Sequence, residues 1–428
     1  MTRAKKPSAT KTPLLELVPD SVDVLIAGGG YVGLSLALAI KVGAPDLAVA
    51  VVDLREPTSA DKDGRASAIA SAARTMFTTL GAWDGMVGEA QPIKEMIITD
   101  SETHDPVRPV FLTFDGQTKE GEPFAHMVPN GAMTASLRGR CRDEGVIVEA
   151  PQTVDDFVVP TGSAHAGHVQ AKLGDGRSVS AKLLVACDGI RSRLRDLAGI
   201  DTVGWMYGQS GIVCTVAHER DHEGAAYEHF LPAGPFATLP LPGNRSSIVW
   251  TEKTATADAL VNGDEFTFML ELERRFGGQF GKLELDSRRV AYPLGLKLAR
   301  SFISPRLALA GDAAHGIHPI AGQGLNLGLK DTAALAQSVV DAARLGLDIG
   351  SPEVLEKYQR WRRFDTAQMG VVTDILNRLF SNDMAPVRAV RSFGLGLVDR
   401  MPKLKGFFIN EAAGIAQDRP RLMNGEAI

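Results

Sequence analysis

The chain is short of several things, and each shortage excludes a class of protein. It has three cysteines, Cys141, Cys187 and Cys214, in 428 residues, with no Cys-x-x-Cys pair. That excludes a disulfide scaffold or a cysteine-rich zinc module and fits a reducing compartment. Basic residues are not in excess: 46 Lys and Arg against 51 Asp and Glu give a net charge of −5. A nucleic-acid binder needs a basic footprint, so none is expected here. The longest uncharged run, Val24 to Ile40, holds four glycines and is too short to span a membrane, which takes ~20 mainly apolar residues. The first 20 residues carry Arg3, Lys5, Lys6 and Lys11 without an apolar core, so they read as a mobile tail rather than a secretory signal. There is no Gly-x-Ser-x-Gly nucleophile elbow and no phosphate loop ending in Gly-Lys-Ser/Thr.

What the chain has in excess is glycine, 44 residues or about 10% against a usual ~7%. Hydrophobic (44%) and charged (23%) fractions are those of an ordinary globular protein, long enough to bury its core without staples. The glycines cluster in two loops. The first, Gly28-x-Gly30-x-x-Gly33, lies between an expected strand at Val22–Ala27 and an expected helix from Leu34. A second strand, Ala48 to Val52, ends at Asp53, 20 residues after Gly33. Each part has a physical task in dinucleotide binding. Gly28 permits the tight turn, Gly30 lets a pyrophosphate reach the backbone, and Gly33 lets the helix pack on the strand. The helix N-terminus then presents free N–H groups to the phosphates. Asp53 suits a ribose 2′-OH and would repel a 2′-phosphate, which favours FAD or NAD over NADP at this loop. A glycine turn that merely packs a helix on a sheet is the alternative.

The second loop is Gly311-Asp-Ala-Ala-His-Gly-Ile-His-Pro-Ile-Ala-Gly-Gln-Gly-Leu-Asn-Leu-Gly-Leu-Lys-Asp331, a strand end, a Pro/Gly loop and a helix starting near Gly324. Backbone N–H groups at such a helix start, with its dipole, would stabilise the anionic edge of a reduced flavin. Leu183–Cys187, running into Asp188-Gly189, and Leu307–Ala310, running into Gly311-Asp312, read as buried strands returning to the first sheet; ligands bind at the carboxyl edge of such sheets.

The segment His318–Asp331 resembles the signature of the ubiquinone-biosynthesis hydroxylases, class A flavin-dependent aromatic monooxygenases related to para-hydroxybenzoate hydroxylase. Gly28–Gly33 with Asp53, Arg65–Ile69 followed by Leu80–Trp83, Asp188–Arg193, Phe230–Pro235 and Pro240–Pro242 resemble further parts of that family. The likeness runs from about residue 22 to 415. Asn130-Gly131-Ala132 departs from the larger polar or basic side chain usual there.

The resemblance implies an α/β fold: a Rossmann-like FAD-binding domain of glutathione-reductase type, an inserted mixed-sheet substrate domain and a C-terminal helical region. The expected boundaries are a tail over 1–20, an FAD-binding domain over 21–95, 126–202 and 296–350, a substrate domain over 96–125 and 203–295, and helices over 351–428. It implies FAD held by Gly28, Gly30, Gly33, Asp53, Arg65, Asp188, Asp312, Pro319, Gly322, Gly324, Leu325 and Asn326, with His318 and Gln323 as candidate catalytic groups beside the flavin ring. NADH or NADPH would be the electron donor, and the substrates O2 and a hydrophobic phenol, a polyprenylated quinone precursor. Two alternatives stay open: a non-catalytic FAD-binding subunit of a quinone-biosynthesis complex, and another flavin oxidoreductase on the same fold.

Three further features are weighed. His315 and His318 lack a third ligand nearby, so no metal site is expected. His218-Glu-Arg-Asp-His222 fits a zinc-protease string but follows a strand, and reads as a surface loop. The segment 371–410 carries six basic and three acidic residues interleaved with Phe380, Phe393, Phe407 and Phe408. It reads either as a core-packing helix with a solvated face or as a contact with an anionic membrane or partner protein. The expected location is cytoplasmic, with the second reading placing the protein on the inner face of the membrane.

Overall fold

The computed structural model describes residues 17–56, 64–100, 108, 110–115, 122–160, 167–317, 323–380, 414 and 419–428. Along the chain the strands of the first sheet are β1 (Ser21–Ala27), β2 (Val49–Val52), β8 (Ile147–Glu149), β9 (Val154–Val158), β10 (Val169–Leu173), β11 (Ser178–Ala186), β18 (Ile303–Ser304) and β19 (Leu307–Leu309). Those of the second are β5 (Glu95–Asp100), β6 (Val110–Asp115), β12 (Thr202–His218), β13 (Ala225–Leu231), β14 (Gly234–Leu241), β15 (Arg245–Lys253), β16 (Leu283–Leu285), β17 (Val290–Ala299) and β20 (His315–Gly316). A small third sheet joins β3 (Ala66–Ala70), β4 (Gln91–Pro92) and β7 (Ala125–Pro129).

The centre of the first sheet is parallel, in the order β19-β11-β1-β2-β8. Parallel strands covered on both faces are apolar throughout, and β2 (Val-Ala-Val-Val) is buried at every position. Helices Tyr31–Gly43 and Gln323–Arg344 pack together against it. The register sets Ala27 beside both Val52 and Ala186, and Ala186 beside Leu309, so four strands end at one edge.

The second sheet, ordered β20-β17-β12-β15-β14-β13-β5-β6, is antiparallel except for β13 against β5. Helix Glu265–Phe276, within the segment expected as short strands, covers its far face. Asp264 caps it by accepting from the Thr267 N–H at 2.8 Å, and Phe268, Leu272 and Phe276, four residues apart, enter the core beside Trp250. The cap and the i, i+4, i+8 spacing were readable in the sequence; the neighbouring strand-rich pattern masked them.

Helix Pro352–Phe380 begins at the expected Ser-Pro-Glu start. Both ends of the described residues are anchored. Val18, inside the stretch expected as tail, is buried, and its N–H donates to Glu149 at 2.7 Å. Residues 419–428 return to the first core, where Leu422, Met423 and Ile428 are buried, instead of continuing a helical region.

Candidate functional site

The common edge of β1, β2, β11 and β19 brings Gly28, Asp53, Asp188 and Asp312 together. Gly28 has φ +111°, and a Cβ there would lie 2.2 Å from the Cys187 carbonyl oxygen. A Cβ on Gly33 would lie 1.9 Å from the Gly28 carbonyl oxygen. The chain itself demands glycine at both. Gly30 differs: its nearest neighbour would be an Arg55 guanidinium nitrogen at 3.8 Å. Gly30 is also the N-cap of helix Tyr31–Gly43, which has no side-chain cap and no acid in its first turn. Space and N–H donors are thus both kept for an anion. Asp53 braces this loop, accepting from the Gly29 N–H and the Arg55 N–H, each at 2.6 Å. Each carboxylate oxygen retains a second lone pair for a ribose hydroxyl.

Asp188 accepts from the N–H groups of Arg193 and Leu194 with one oxygen; the other is buried with no partner among the described residues. Asp312 faces the groove from a single 3-10 turn, Gly311–Ala313. The protein packed around it raises its carboxyl above the ordinary range, opposed by His315 and Arg65. The Arg65 guanidinium stands 5.4 Å over the Tyr292 ring of the second sheet, and the Arg65 carbonyl accepts from the Asn130 N–H at 2.8 Å. Asn130 is buried and accepts from the Ser67 hydroxyl at 2.7 Å.

These residues line a continuous groove. Gly30, Arg55, Cys187 and Gly189 link the stretch beside Asp53 and Asp188 to the stretch beside Arg65 and Asp312. Tyr31, Val32 and Asp312 link that to a cavity of about 310 Å³ between the two sheets. Gln323, Gly324, Leu325 and Asn326, the first turn of helix Gln323–Arg344, form one wall; Ala226, Ala237 and Val249 of the second sheet form another. Among the described residues a Cβ on Gly324 would meet nothing nearer than Ile317 at 4.0 Å. The Asn326 side chain is committed to β3, donating to the Ala68 carbonyl and accepting from the Ala70 N–H, both at 2.9 Å. It pins the Arg65 segment to the second loop. His318, Pro319 and Gly322 lie outside the described residues.

Sequence reasoning missed a buried ion network behind the second loop. His315 donates from Nε2 to Asp331 at 2.5 Å, and the same oxygen accepts from the Gly311 N–H at 2.9 Å. Arg362 donates to the other oxygen at 2.8 Å. Burial alone would raise the Asp331 carboxyl; His315 and Arg362 outweigh it and hold the group below the usual carboxylate range. The turn that presents Asp312 therefore hangs on a charge anchored in two helices. Lys330-Asp331, inside an otherwise apolar helix face, was the available signal.

His218–His222 runs from a strand end into an exposed loop, Glu219–Asp221, as expected, but its two histidines turn inward. Both histidines are buried, with Phe280 stacked on His218 at 4.9 Å between ring centres. His218 donates to the Arg220 carbonyl and accepts from the Ser246 hydroxyl; His222 donates to the Leu241 carbonyl and accepts from the Gly224 N–H. All four ring nitrogens are spent on folding. Among the described residues no group of three or more His, Cys, Asp or Glu side chains is placed to hold a metal.

Comparison with known proteins turns this geometry into a family. The profile of the FAD binding domain matches residues 21–370. Ubiquinone hydroxylase UbiL of Rhodospirillum rubrum is 43% identical, covering 98% of this chain and 96% of that protein. The chain belongs to the ubiquinone-biosynthesis hydroxylase family. Another relative in the family, 3-demethoxyubiquinol 3-hydroxylase of Escherichia coli, is 32% identical over 92% of this chain and 98% of its own length. The crystal structure of p-nitrophenol 4-monooxygenase PnpA from Pseudomonas putida superposes with a TM-score of 0.76 at 19% identity, covering 93% of this chain and 100% of that one, which shows a shared fold. FAD is the cofactor of the family, and the residues present fit it: two cradles, at Gly30 and Gly324, where a Cβ would clash with no described residue, and a buried Asp188 oxygen without a donor among the described residues.

Proposed function

We propose that this member of the hydroxylase family inserts one oxygen atom of O2 into the aromatic ring of a polyprenylated phenol in ubiquinone biosynthesis, with NADH or NADPH as electron donor. The observation that carries the reading is the continuity of the groove with an apolar cavity against the second sheet. FAD supplies the redox chemistry, taking electrons from the nicotinamide and activating O2. The chain binds, orients and keeps the reaction dry. The first turn of helix Tyr31–Gly43 and Arg65 take the pyrophosphate; Asp53, Asp188 and Asp312 take hydroxyl groups. The first turn of helix Gln323–Arg344 offers N–H groups to the anionic edge of the ring, with His318 and Gln323 as polar neighbours. The two segments 96–125 and 203–295 form the substrate domain around the cavity.

Among the described residues no helix is long and apolar enough to cross a membrane. A greasy substrate and the basic, aromatic segment 371–410 support a cytoplasmic protein held peripherally at the membrane's inner face or against other quinone-biosynthesis proteins. Exposed Val371, Val372 and Ile375 begin that segment; residues 381–410 lie outside the described residues.

The test is direct. Purified protein should be yellow, and a prenylated phenol should stimulate NAD(P)H oxidation with one hydroxylated ring formed per nicotinamide consumed, read by mass spectrometry. An FAD-loaded protein that forms no hydroxylated product from any phenol, yet co-purifies with other biosynthetic enzymes, would instead be the non-catalytic subunit.

A further inference from the structure

Glu228 occupies a place that folding alone does not explain. It lies in β13, 5% exposed, with Ala237 and Ile98 as its cross-strand neighbours. Strand alternation puts it on the face shared by Ala226 and Phe230, the face that lines the cavity between the sheets. The sheet around it contributes Met96, Ala237, Leu239 and Val249 to the same lining, none of them titratable. The next residue, His229, turns to the opposite face, where its ring bonds Thr99 at 2.5 Å. Among the described residues that line the cavity, Asp312 is the other charged one. Among the described residues no side chain donates a hydrogen bond or forms an ion pair with Glu228. A buried carboxyl without a donor is costly, and an apolar residue would fill this position better. The donor must then come from what enters the cavity.

We propose that Glu228 is a catalytic residue of the hydroxylation, its carboxylate taking the hydroxyl proton of the phenol substrate as the ring is attacked. The step balances: the phenol O–H bond breaks, a carboxyl O–H bond forms, and the negative charge passes to the phenolic oxygen. No electrons enter or leave the pair. The charge enriches the ring positions ortho and para to that oxygen, where an electrophilic oxygen is accepted. The proton returns to the phenolic oxygen once the ring has been hydroxylated. This rests on the hydroxylase reading above.

Burial matches the group to the task. It pushes the Glu228 carboxyl up to about 7. A phenol titrates near ~10 and an ordinary Glu near ~4.3, a gap of roughly 10⁶ in proton affinity; burial narrows it to roughly 10³. Transfer stays incomplete in the resting complex and completes as the attacked ring grows acidic.

The experiment uses FAD-loaded enzyme, a phenol bearing one prenyl group, and NAD(P)H, with product measured from pH 5.5 to 8.5. Wild-type kcat should rise through about pH 7 and then level. Glu228→Gln keeps the shape, so it should take up FAD yet lose about 100-fold or more in kcat, and lose the rising limb as well. Glu228→Asp should restore the limb at a reduced rate, which a merely structural role would not do. Equal kcat and an equal limb in wild type and Glu228→Gln would overturn the proposal. If Glu228→Gln fails to bind FAD, the Asp variant and the wild-type limb decide, and a flat wild-type profile overturns it. Wild-type enzyme that hydroxylates no phenol overturns the reading on which the proposal rests, and is distinguished by the absence of product before any variant is made.

Discussion

Gly33 and Gly324, one in each glycine-rich loop, have different reasons to be glycine, and substitution separates them. Gly33→Ala places a methyl 1.9 Å from the Gly28 carbonyl oxygen, so it should destabilise the protein by about 1–3 kcal/mol or more, seen as a lower urea midpoint. Among the described residues a Cβ on Gly324 has no neighbour nearer than 4.0 Å. Valine is no worse than glycine in a helix, so the apoprotein melt should not fall. FAD affinity should drop tenfold or more by fluorescence titration, a loss of ~1.4 kcal/mol. An unchanged affinity would remove the second loop from the flavin site. The cysteines give a second measurement at this scale. Burial pushes Cys141 and Cys214 up to about 12 and Cys187 further in the same direction. Since the thiolate is the reactive form, a thiol reagent at pH 8 should label the native protein slowly and all three sites in guanidinium.

The elements behind the second loop are held to one another by buried charges. Arg362, on helix Pro352–Phe380, reaches Asp331 on helix Gln323–Arg344, which holds His315 of β20. Arg362→Leu leaves that carboxylate with one partner fewer inside the core and should cost about 3–5 kcal/mol. The pH dependence has a definite sign. The Asp331 carboxyl is depressed in the folded state, so its contribution is complete above the unfolded value near ~3.9 and is lost as pH falls through the lower folded value. Wild-type stability from this group should hold down to about pH 4 and decline below it, whereas Arg362→Leu should be weakened already at pH 7. Denaturant titrations at pH 3, 4, 5 and 7 would show both. Three strand-end aspartates and the Gly-rich loops were legible in the sequence because each is a local pattern. The His315–Asp331–Arg362 network was not, since its members are 16 and 31 residues apart and only helix packing joins them.

At the scale of the whole molecule, one core surrounds the parallel sheet, a second lies under helix Glu265–Phe276, and a small cluster around Met127 and Leu241 sits between them. The end of the chain serves the first core. Leu422, Met423 and Ile428 are buried there, Arg421 pairs with Asp341, and Arg344 donates to the Ile428 carbonyl. Deleting residues 419–428 should lower stability by about 4 kcal/mol, three buried side chains at ~1.5–3 each less their ordering entropy. A thermal melt of the shortened, FAD-loaded protein checks it; an unaltered midpoint would show that this segment does not serve the core.

By itself the amino-acid order determined what short-range rules can encode: a strand, glycine turn and helix with an acid 20 residues on, a second glycine-bearing helix start, and a capped helix opening at Ser351-Pro352. These follow from backbone sterics and hydrogen bonding within a few residues. Tertiary structure alone decided which of these meet. Parallel pairing of β19, β11, β1 and β2 set four distant strand ends at one edge. Strand alternation and sheet packing decided that Glu228, one acid among many in the sequence, faces an apolar cavity while His229 turns away. Burial and its effect on a charge belong to the assembled surface, and no run of residues carries them in advance.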